Sequence, residues 1–353
     1  MRLIYALAAI ALLLPAKAHA SDDYHLRRAI VVPGAGAGWD YLTYEAARSR
    51  LYVGHRQEGL QVFDTAHDFK MTVIAGTARS NGAMLMPEFD VGVSHNGDGT
   101  LTEFKLSDLS VIRQVKVGSD LDSSRYDPAT KRLVTLGVPT ADDKGTVVGV
   151  YSVPELTRIG VIDVASTSLE NSAADGQGDI LVSAQDLNAV VRIDMKQQKV
   201  TAQWPTTGCA QPVGLAYDEA DRRVMVGCRG HLTAPVLVVM NADTGAVVFT
   251  APIGAGNDGV AYDPVRKRVI LTNGIAANMV VFQQNGPDDY KLAEVIGTRA
   301  NARTLALDPA TGDIFTDVAE GIYDASKKNL ARVAPFYPNV FTRDSFRILE
   351  YGK

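Results

Sequence analysis

The sequence has few of the residues from which covalent haem sites are built. It contains two cysteines in 353 residues, Cys209 and Cys228, and neither belongs to a C-x-x-C-H motif, so attachment of haem c is unsupported. Two nucleotide or hydrolase motifs are also incomplete. The stretch 34–38 is glycine-rich but lacks the G-x-G-x-x-G frame. The stretch 92–95 lacks the G-x-S-x-G frame of a nucleophile elbow.

Clusters of basic residues and long apolar runs are missing as well. The chain has 35 Lys and Arg against 40 Asp and Glu, which gives a formal net charge of −5. Binding to nucleic acid needs a basic face, so no nucleic-acid partner is predicted. After residue 20, no apolar run is long enough to span a bilayer, and no membrane span is predicted.

The first 20 residues have the pattern of a Sec-type signal peptide. Arg2 supplies the positive start, residues 3–14 are apolar, and Ala18-His-Ala20 is a small-x-small cleavage site. We therefore expect cleavage after Ala20 and a periplasmic or secreted protein. Residues 21–353 are expected to form a single domain, because one repeat runs through them without interruption.

This repeat is the strongest pattern in the chain. Each copy has a short apolar strand, a polar turn that often contains Asp-Pro, and a second apolar strand, as in 258–273. The last residue of the first strand falls at positions 44, 85, 126, 174, 217, 262 and 307. Seven units of roughly 41 to 48 residues are typical of four-stranded propeller blades, so the sequence predicts an all-β, seven-bladed β-propeller.

The two ends of the chain account for one incomplete blade. Residues 26–32 look like an isolated fourth strand (D), and residues 345–351 look like a third strand (C) with no fourth strand after it. If these segments pair, the N-terminal strand D completes the C-terminal blade and the ring has no open edge.

Loop lengths differ between the two faces of the predicted ring. The turns between strands A and B and between C and D are short, whereas the B–C loops at 137–145, 228–234 and 318–344 vary widely. Function usually lies where length varies on a rigid scaffold. The last loop carries four aromatic residues, which suit a lid, a docking patch or a plug that stabilises the ring: Tyr323, Phe336, Tyr337 and Phe341.

Strand ends such as Leu51-Tyr-Val-Gly-His55 and Val269-Ile-Leu-Thr-Asn273 resemble the Tyr-Val-Thr-Asn repeat. With the turn Ala242-Asp-Thr-Gly245, the mature chain is similar to the YncE-like, YVTN-repeat periplasmic β-propellers. The resemblance implies the architecture. It leaves the function open, because such propellers serve as binding scaffolds, surface proteins and enzymes.

The residue four positions before the end of each strand A is polar or charged in six of seven units. Innermost strands line the channel of a propeller, so these side chains are expected to form a ring: Asp40, Asn81, Asp122, Glu170, Val213, Asp258 and Arg303. Clustered carboxylates favour a hard divalent cation such as Ca²⁺. Alternatively, Arg303 neutralises them, or the polar side chains bind only loops and channel water.

Two further groups are candidates for specific chemistry. His55 and His95 are predicted to occupy the last position of strand B in adjacent blades, where they could contribute to a metal site or simply cap loops. Cys209 and Cys228 flank strands A and B of the fifth unit, and a disulfide is expected in an oxidising compartment.

These patterns leave three functional hypotheses. The first is a monomeric binding scaffold that holds a small molecule or a periplasmic protein at the variable-loop face and channel mouth. The second is a metal-dependent hydrolase of the lactonase kind, in which Asn81 or Asn171 joins a set of carboxylates: Asp40, Asp122, Glu170 and Asp258. The third is the partner subunit of a redox enzyme.

Overall fold

The computed structural model describes residues 23–230, 233–324, 326–327 and 338–353. Within these residues the chain forms seven four-stranded antiparallel sheets, whose innermost strands pack against one another in a closed ring. The predicted seven-bladed β-propeller is confirmed. We number the blades 1–7 in chain order and name their strands A–D from the channel outward.

Blades 1 to 3 follow one another along the chain. Their strands are β2 (Trp39–Glu45), β3 (Arg50–His55), β4 (Gly59–Asp64) and β5 (Lys70–Val73); β6 (Ser80–Met86), β7 (Val91–Asn96), β8 (Thr100–Lys105) and β9 (Val111–Lys116); β10 (Ser123–Asp127), β11 (Arg132–Leu136), β12 (Thr146–Ser152) and β13 (Arg158–Val164). Short 3₁₀ helices join strands A and B in the first two blades, at Ala46–Arg48 and Pro87–Phe89.

Blades 4 to 6 repeat the same order. Their strands are β14 (Leu169–Ala174), β15 (Asp179–Ala184), β16 (Ala189–Asp194) and β17 (Lys199–Pro205); β18 (Pro212–Asp218), β19 (Arg223–Cys228), β20 (Val236–Asn241) and β21 (Val247–Pro252); β22 (Asn257–Asp263), β23 (Arg268–Asn273), β24 (Asn278–Gly286) and β25 (Asp289–Gly297).

Blade 7 is assembled from both ends of the chain. Its strands in spatial order are β26 (Leu305–Leu307), β27 (Ile314–Val318), β30 (Arg347–Gly352) and β1 (His25–Val31). Strand β1 runs antiparallel to β30, with Ala29 opposite Leu349. The predicted closure is confirmed, and the strand limits lie within two residues of those expected.

The core is divided into seven apolar clusters, one between each pair of neighbouring blades. Strands B and C are covered on both faces by the adjacent sheets, so successive residues are buried; Val224, Met225 and Val226 of β19 are an example. Strands D are the outer edges, and β9 is almost wholly exposed. Burial between blades therefore fixes the ring that surrounds the channel.

The last B–C loop contains a two-stranded sheet, β28 (Gly321–Ile322) and β29 (Val340–Phe341). The Phe341 ring packs edge-on against Trp39, at 4.9 Å between centroids. Phe336, Tyr337 and the predicted signal peptide 1–20 lie outside the described residues. None of the helices in the described ranges has the length and apolar character needed to cross a membrane.

Candidate functional site

A β-bulge lies at the start of strand A in five blades. The pairing with strand B shifts register at Asp40-Tyr41, Asn81, Glu170-Asn171, Val213 and Asp258. A bulged residue is left out of the ladder, and its side chain turns away from the alternating pattern of the sheet. Most of the residues at the predicted ring positions are therefore bulged residues.

The ring positions surround one mouth of the channel, which we call the outer chamber. It is a cavity of about 810 Å³. Five of the predicted ring residues line it: Asp40, Asp122, Glu170, Asp258 and Arg303. Asn81 instead donates from Nδ2 to the Leu121 carbonyl, at 2.8 Å.

The charges of the outer chamber divide into two sides. On one side, Asp40 pairs with Arg56, and Asp258 pairs with both Arg229 and Arg303. Arg303 reaches Asp258 through Nε at 2.7 Å. We call this the arginine side.

On the other side, which we call the acidic side, hydroxyl groups are the partners. Tyr41 donates its hydroxyl to Asp122 Oδ2 at 2.9 Å, and Ser168 Oγ donates to Glu170 Oε1 at 2.9 Å. Within the described residues, neither of these carboxylates forms an ion pair. A cationic group that enters the chamber would find its counter-charge here.

The acidic side disfavours ionised carboxylates. Burial raises the pKa of Asp122 well above its ordinary value, and the nearby charges of Asp40 and Glu170 raise it further. Burial also raises the pKa of Glu170, against an opposing effect of Arg229. Burial raises the pKa of the Tyr41 phenol, and the charge of Asp122 adds to this shift.

The predicted divalent cation stays a prediction. Among the described residues, no group of three His, Cys, Asp or Glu side chains is arranged to hold a metal ion. In the structure, arginines pair with two of the four carboxylates, Asp40 and Asp258. Ca²⁺ therefore remains a probe for the acidic side.

The placement of His55 and His95 at equivalent positions is wrong. His55 pairs with Trp39 at the end of β3, but the residue that occupies this place in β7 is Asn96, opposite Ser80. His95 is one residue earlier and faces the other side of its sheet. The last residue of strand B lies eleven positions after the repeat marker in both blades, so a count from residues 44 and 85 leads to His55 and Asn96 and not to His95.

The two histidines have separate surroundings. His55 Nδ1 accepts a hydrogen bond from the Glu58 backbone N–H at 3.2 Å, and its ring packs on Phe346. His95 Nδ1 lies 3.3 Å from Ser124 Oγ. Burial lowers the pKa of His95 to about 3, so this imidazole is neutral at physiological pH.

Cys209 and Cys228 form a disulfide in the structure, with their Cα atoms 5.5 Å apart. The bond joins the segment before β18 to the last residue of β19. Arg229, on the arginine side, follows directly in the chain. The disulfide therefore holds the backbone next to a residue that lines the outer chamber.

Several residues of the channel were not predicted. Arg56, Gln185 and Arg229 each follow the last residue of a strand B, and all three line the outer chamber. The position after strand B, compared across blades, is a signal that could have found them. Tyr41 follows Asp40 in the first bulge, and the extra residue of a bulge has no counterpart in the repeat.

A second cavity lies deeper along strands A, and we call it the inner chamber. Its volume is about 370 Å³, and Tyr41 and Asp258 border both chambers. Asn171 lines this chamber and donates from Nδ2 to the Asp258 carbonyl at 3.1 Å. His95 also lies on its wall.

No protein-family model matches the chain, and no curated protein matches it by sequence. Solved structures do. A chain of the mitotic checkpoint complex is 15% identical with a TM-score of 0.69, and the match covers 90% of this chain and 95% of that chain. A match of this kind shows the fold.

Two other solved structures give the same result. A chain of the hydrazine synthase of Kuenenia stuttgartiensis is 14% identical, with a TM-score of 0.67 and coverage of 81% of this chain and 94% of that one. The WD40 β-propeller domain of Doa1 is 11% identical, with a TM-score of 0.67 and coverage of 94% and 97%. At these identities the likeness concerns the propeller architecture alone.

Proposed function

We propose that this protein is an exported binding protein of the YncE-like, YVTN-repeat kind, which works as a monomer in the periplasm. Its ligand is a small polar molecule with a cationic group, held in the outer chamber at the variable-loop face. Support comes from the signal-peptide pattern of residues 1–20 and from the repeat. The fold adds support, because β-propellers commonly act as binding scaffolds.

The observation that carries this proposal is the unequal pairing of the carboxylates. Three arginines serve Asp40 and Asp258, whereas Asp122 and Glu170 have hydroxyl partners. Buried carboxylates are normally paired with a cation. A ligand ammonium or amidinium group at the acidic side would supply that cation, and the arginine side would contact a polar or anionic part of the same ligand.

The test uses organic diammonium ions as probes. Putrescine and cadaverine are titrated into the purified protein by calorimetry, in buffers of different ionisation enthalpy. Binding is expected to release protons, because a nearby cation lowers the raised pKa values of Asp122 and Glu170. The double variant Asp122→Asn/Glu170→Gln is expected to lose at least about tenfold in affinity.

The control is Asp163→Asn, which alters an exposed carboxylate of β13 and should bind both probes as the wild type does. Binding that is equal in the double variant would contradict the proposal. So would a wild type that binds neither diammonium ion while a protein partner binds the loop face, since the scaffold would then act on a macromolecule.

A metal-dependent hydrolase is the second candidate, and the same acidic side favours it. Two carboxylates without arginine partners suit a divalent ion as well as an ammonium group. Ca²⁺ is therefore titrated in parallel. A stoichiometric ion that is lost in Asp122→Ala, together with hydrolysis of lactones, would favour this candidate. The redox-partner hypothesis stays a prediction.

A further inference from the structure

The inner chamber adjoins the ligand site proposed above and shares Tyr41 and Asp258 with it. Most of its other wall residues come after the bulges along strands A. The polar residues that line it and do not line the outer chamber include Thr43, Ser123, Ser124, Arg125, Asn171 and Ser172. Its volume of about 370 Å³ is within the range of sites for small molecules.

Arg125 carries the charge of this chamber. Its Nε donates to Ser172 Oγ at 3.2 Å, which is a bond to a neutral group. Within the part of the chain that the structure describes, no carboxylate forms an ion pair with Arg125. The three arginines of the outer chamber differ, because each pairs with an aspartate. Burial lowers the pKa of Arg125 to about 10, as expected for a cation without a nearby anion.

The groups around Arg125 are donors or neutral. The Ser123 side chain is buried, at 8% exposure, and its hydroxyl has no hydrogen-bond partner among the described residues. His95, which reaches Ser124, is neutral because burial and the charge of Arg125 hold its pKa low. Among the described wall residues the acid is Asp258, which is already engaged by two arginines.

A guanidinium in this position does not serve stability. Removing a cation from water without an anion is unfavourable, and a neutral residue could bond Ser172 equally well. Guanidinium groups bind carboxylates and other oxyanions through two parallel N–H bonds. We propose that the inner chamber binds a small oxyanion, held by the Arg125 guanidinium together with the Ser123 hydroxyl.

The experiment measures anion binding in Tris chloride buffer, which contains no oxyanion. Acetate and succinate represent carboxylates, and sulfate and phosphate represent inorganic oxyanions; each is titrated into the purified protein by calorimetry and thermal shift. At least one class is expected to bind the wild type and raise its melting temperature. Arg125→Gln is expected to weaken that binding at least about tenfold.

Matched variants make the result specific. Arg158→Gln removes an exposed arginine of β13 and should bind the anion as the wild type does. Glu170→Gln alters the acidic side of the outer chamber and should not weaken binding of the anion. Failure of one site is therefore distinguishable from failure of the other. Arg125→Lys keeps the charge without the paired donors and should bind more weakly than the wild type.

Without anion, Arg125→Gln should melt at or above the wild-type temperature, because it removes a half-buried charge that has no ion-pair partner among the described residues. A variant that is less stable without anion would show that Arg125 is structural and would overturn the proposal. So would equal affinity in Arg125→Gln or Arg125→Lys, or a wild type that binds none of the four anions.

Discussion

The carboxyl group of Asp122 has a hydroxyl as its hydrogen-bond partner in a chamber that also holds three arginines. Its neighbours Asp40 and Glu170 are acids, and both oppose its ionisation. Such a group weakens the folded state at neutral pH, and strained electrostatics of this kind are concentrated at functional sites. Because this destabilisation comes from one carboxyl group, a single substitution of Asp122 should change the free energy of unfolding measurably.

We predict that Asp122→Asn stabilises the protein at pH 7 by about 1–3 kcal/mol. The pKa of Asp122 is raised in the folded state, so the fold favours the protonated carboxyl. The contribution of this carboxyl to stability is therefore complete below its unfolded pKa and is lost as pH rises toward the folded pKa. The difference in melting temperature between variant and wild type should therefore grow from pH 4 to pH 8. Thermal unfolding across this range checks it, with Asp163→Asn as the flat control; a difference that shrinks with pH would contradict it.

At the level of single residues, the repeat predicted some positions well and others poorly. Asp40, Asp122, Glu170 and Asp258 keep a fixed offset from the end of strand A, so counting reached them. The partners Arg56 and Arg229 directly follow strand B at one constant position, which was not compared across the blades. Which acid has an arginine depends on contacts between blades, and these are not encoded in the period.

At the level of elements, the bulges decide where side chains point. Strand A of blade 1 would place alternate residues on opposite faces if it were regular, but the register shift between Trp39 and Leu42 interrupts this pattern. The bulges share no residue type in the sequence, since blade 1 has Asp40-Tyr41 and blade 5 has Val213 after Pro212. The shift was therefore missed, whereas the position of His95 was wrong because this residue lies one short of the constant spacing between the repeat marker and the end of strand B.

The disulfide of blade 5 is the covalent element beside the site. It closes a loop between residues 19 positions apart, which corresponds to about 3 kcal/mol from restriction of the unfolded chain. We predict that the double variant Cys209→Ser/Cys228→Ser keeps the fold. Its free energy of unfolding should be lower by this amount, and it should melt at a lower temperature. Chemical denaturation with and without reductant measures it.

Two outcomes delimit that prediction. Reductant should lower the stability of the wild type toward that of the double variant and leave the variant unchanged. A double variant as stable as the oxidised wild type would show that the bond adds nothing to the free energy of unfolding. Diammonium binding, measured alongside, reports whether the backbone next to Arg229 has moved.

At the level of the whole molecule, the ring could be predicted almost completely. Seven similar units and a pair of complementary end segments leave one arrangement without open sheet edges. The long loop 318–344 could not be assigned, because its composition suits a lid, a docking patch or a plug. The packing of Phe341 on Trp39 shows that part of it stabilises the ring between blades 7 and 1.

We predict that removal of residues 1–31 leaves a chain that is insoluble or melts far below a control that lacks only residues 1–22. The loss exposes the full edge of β30, whose backbone groups then pair with other chains. Size-exclusion chromatography and thermal unfolding compare the two forms. Equal melting temperatures would contradict the role of β1 in closure.

A rescue experiment sharpens this test. The side chains of β1 are mostly exposed, so its backbone should supply most of the interaction with β30. A synthetic peptide of residues 23–33, added during refolding, is expected to restore soluble protein by strand addition, and a scrambled peptide is not. Failure of both peptides alike would indicate that closure requires the covalent connection.

The order in which this polypeptide is made sets a limit on when it can mature. His25–Val31 emerges from the ribosome long before its partner Arg347–Gly352. Until β30 has been made, blade 7 is therefore incomplete and the ring is open beside blade 1. The ring therefore cannot close before β30 has been synthesised, and this order is compatible with the export that we propose.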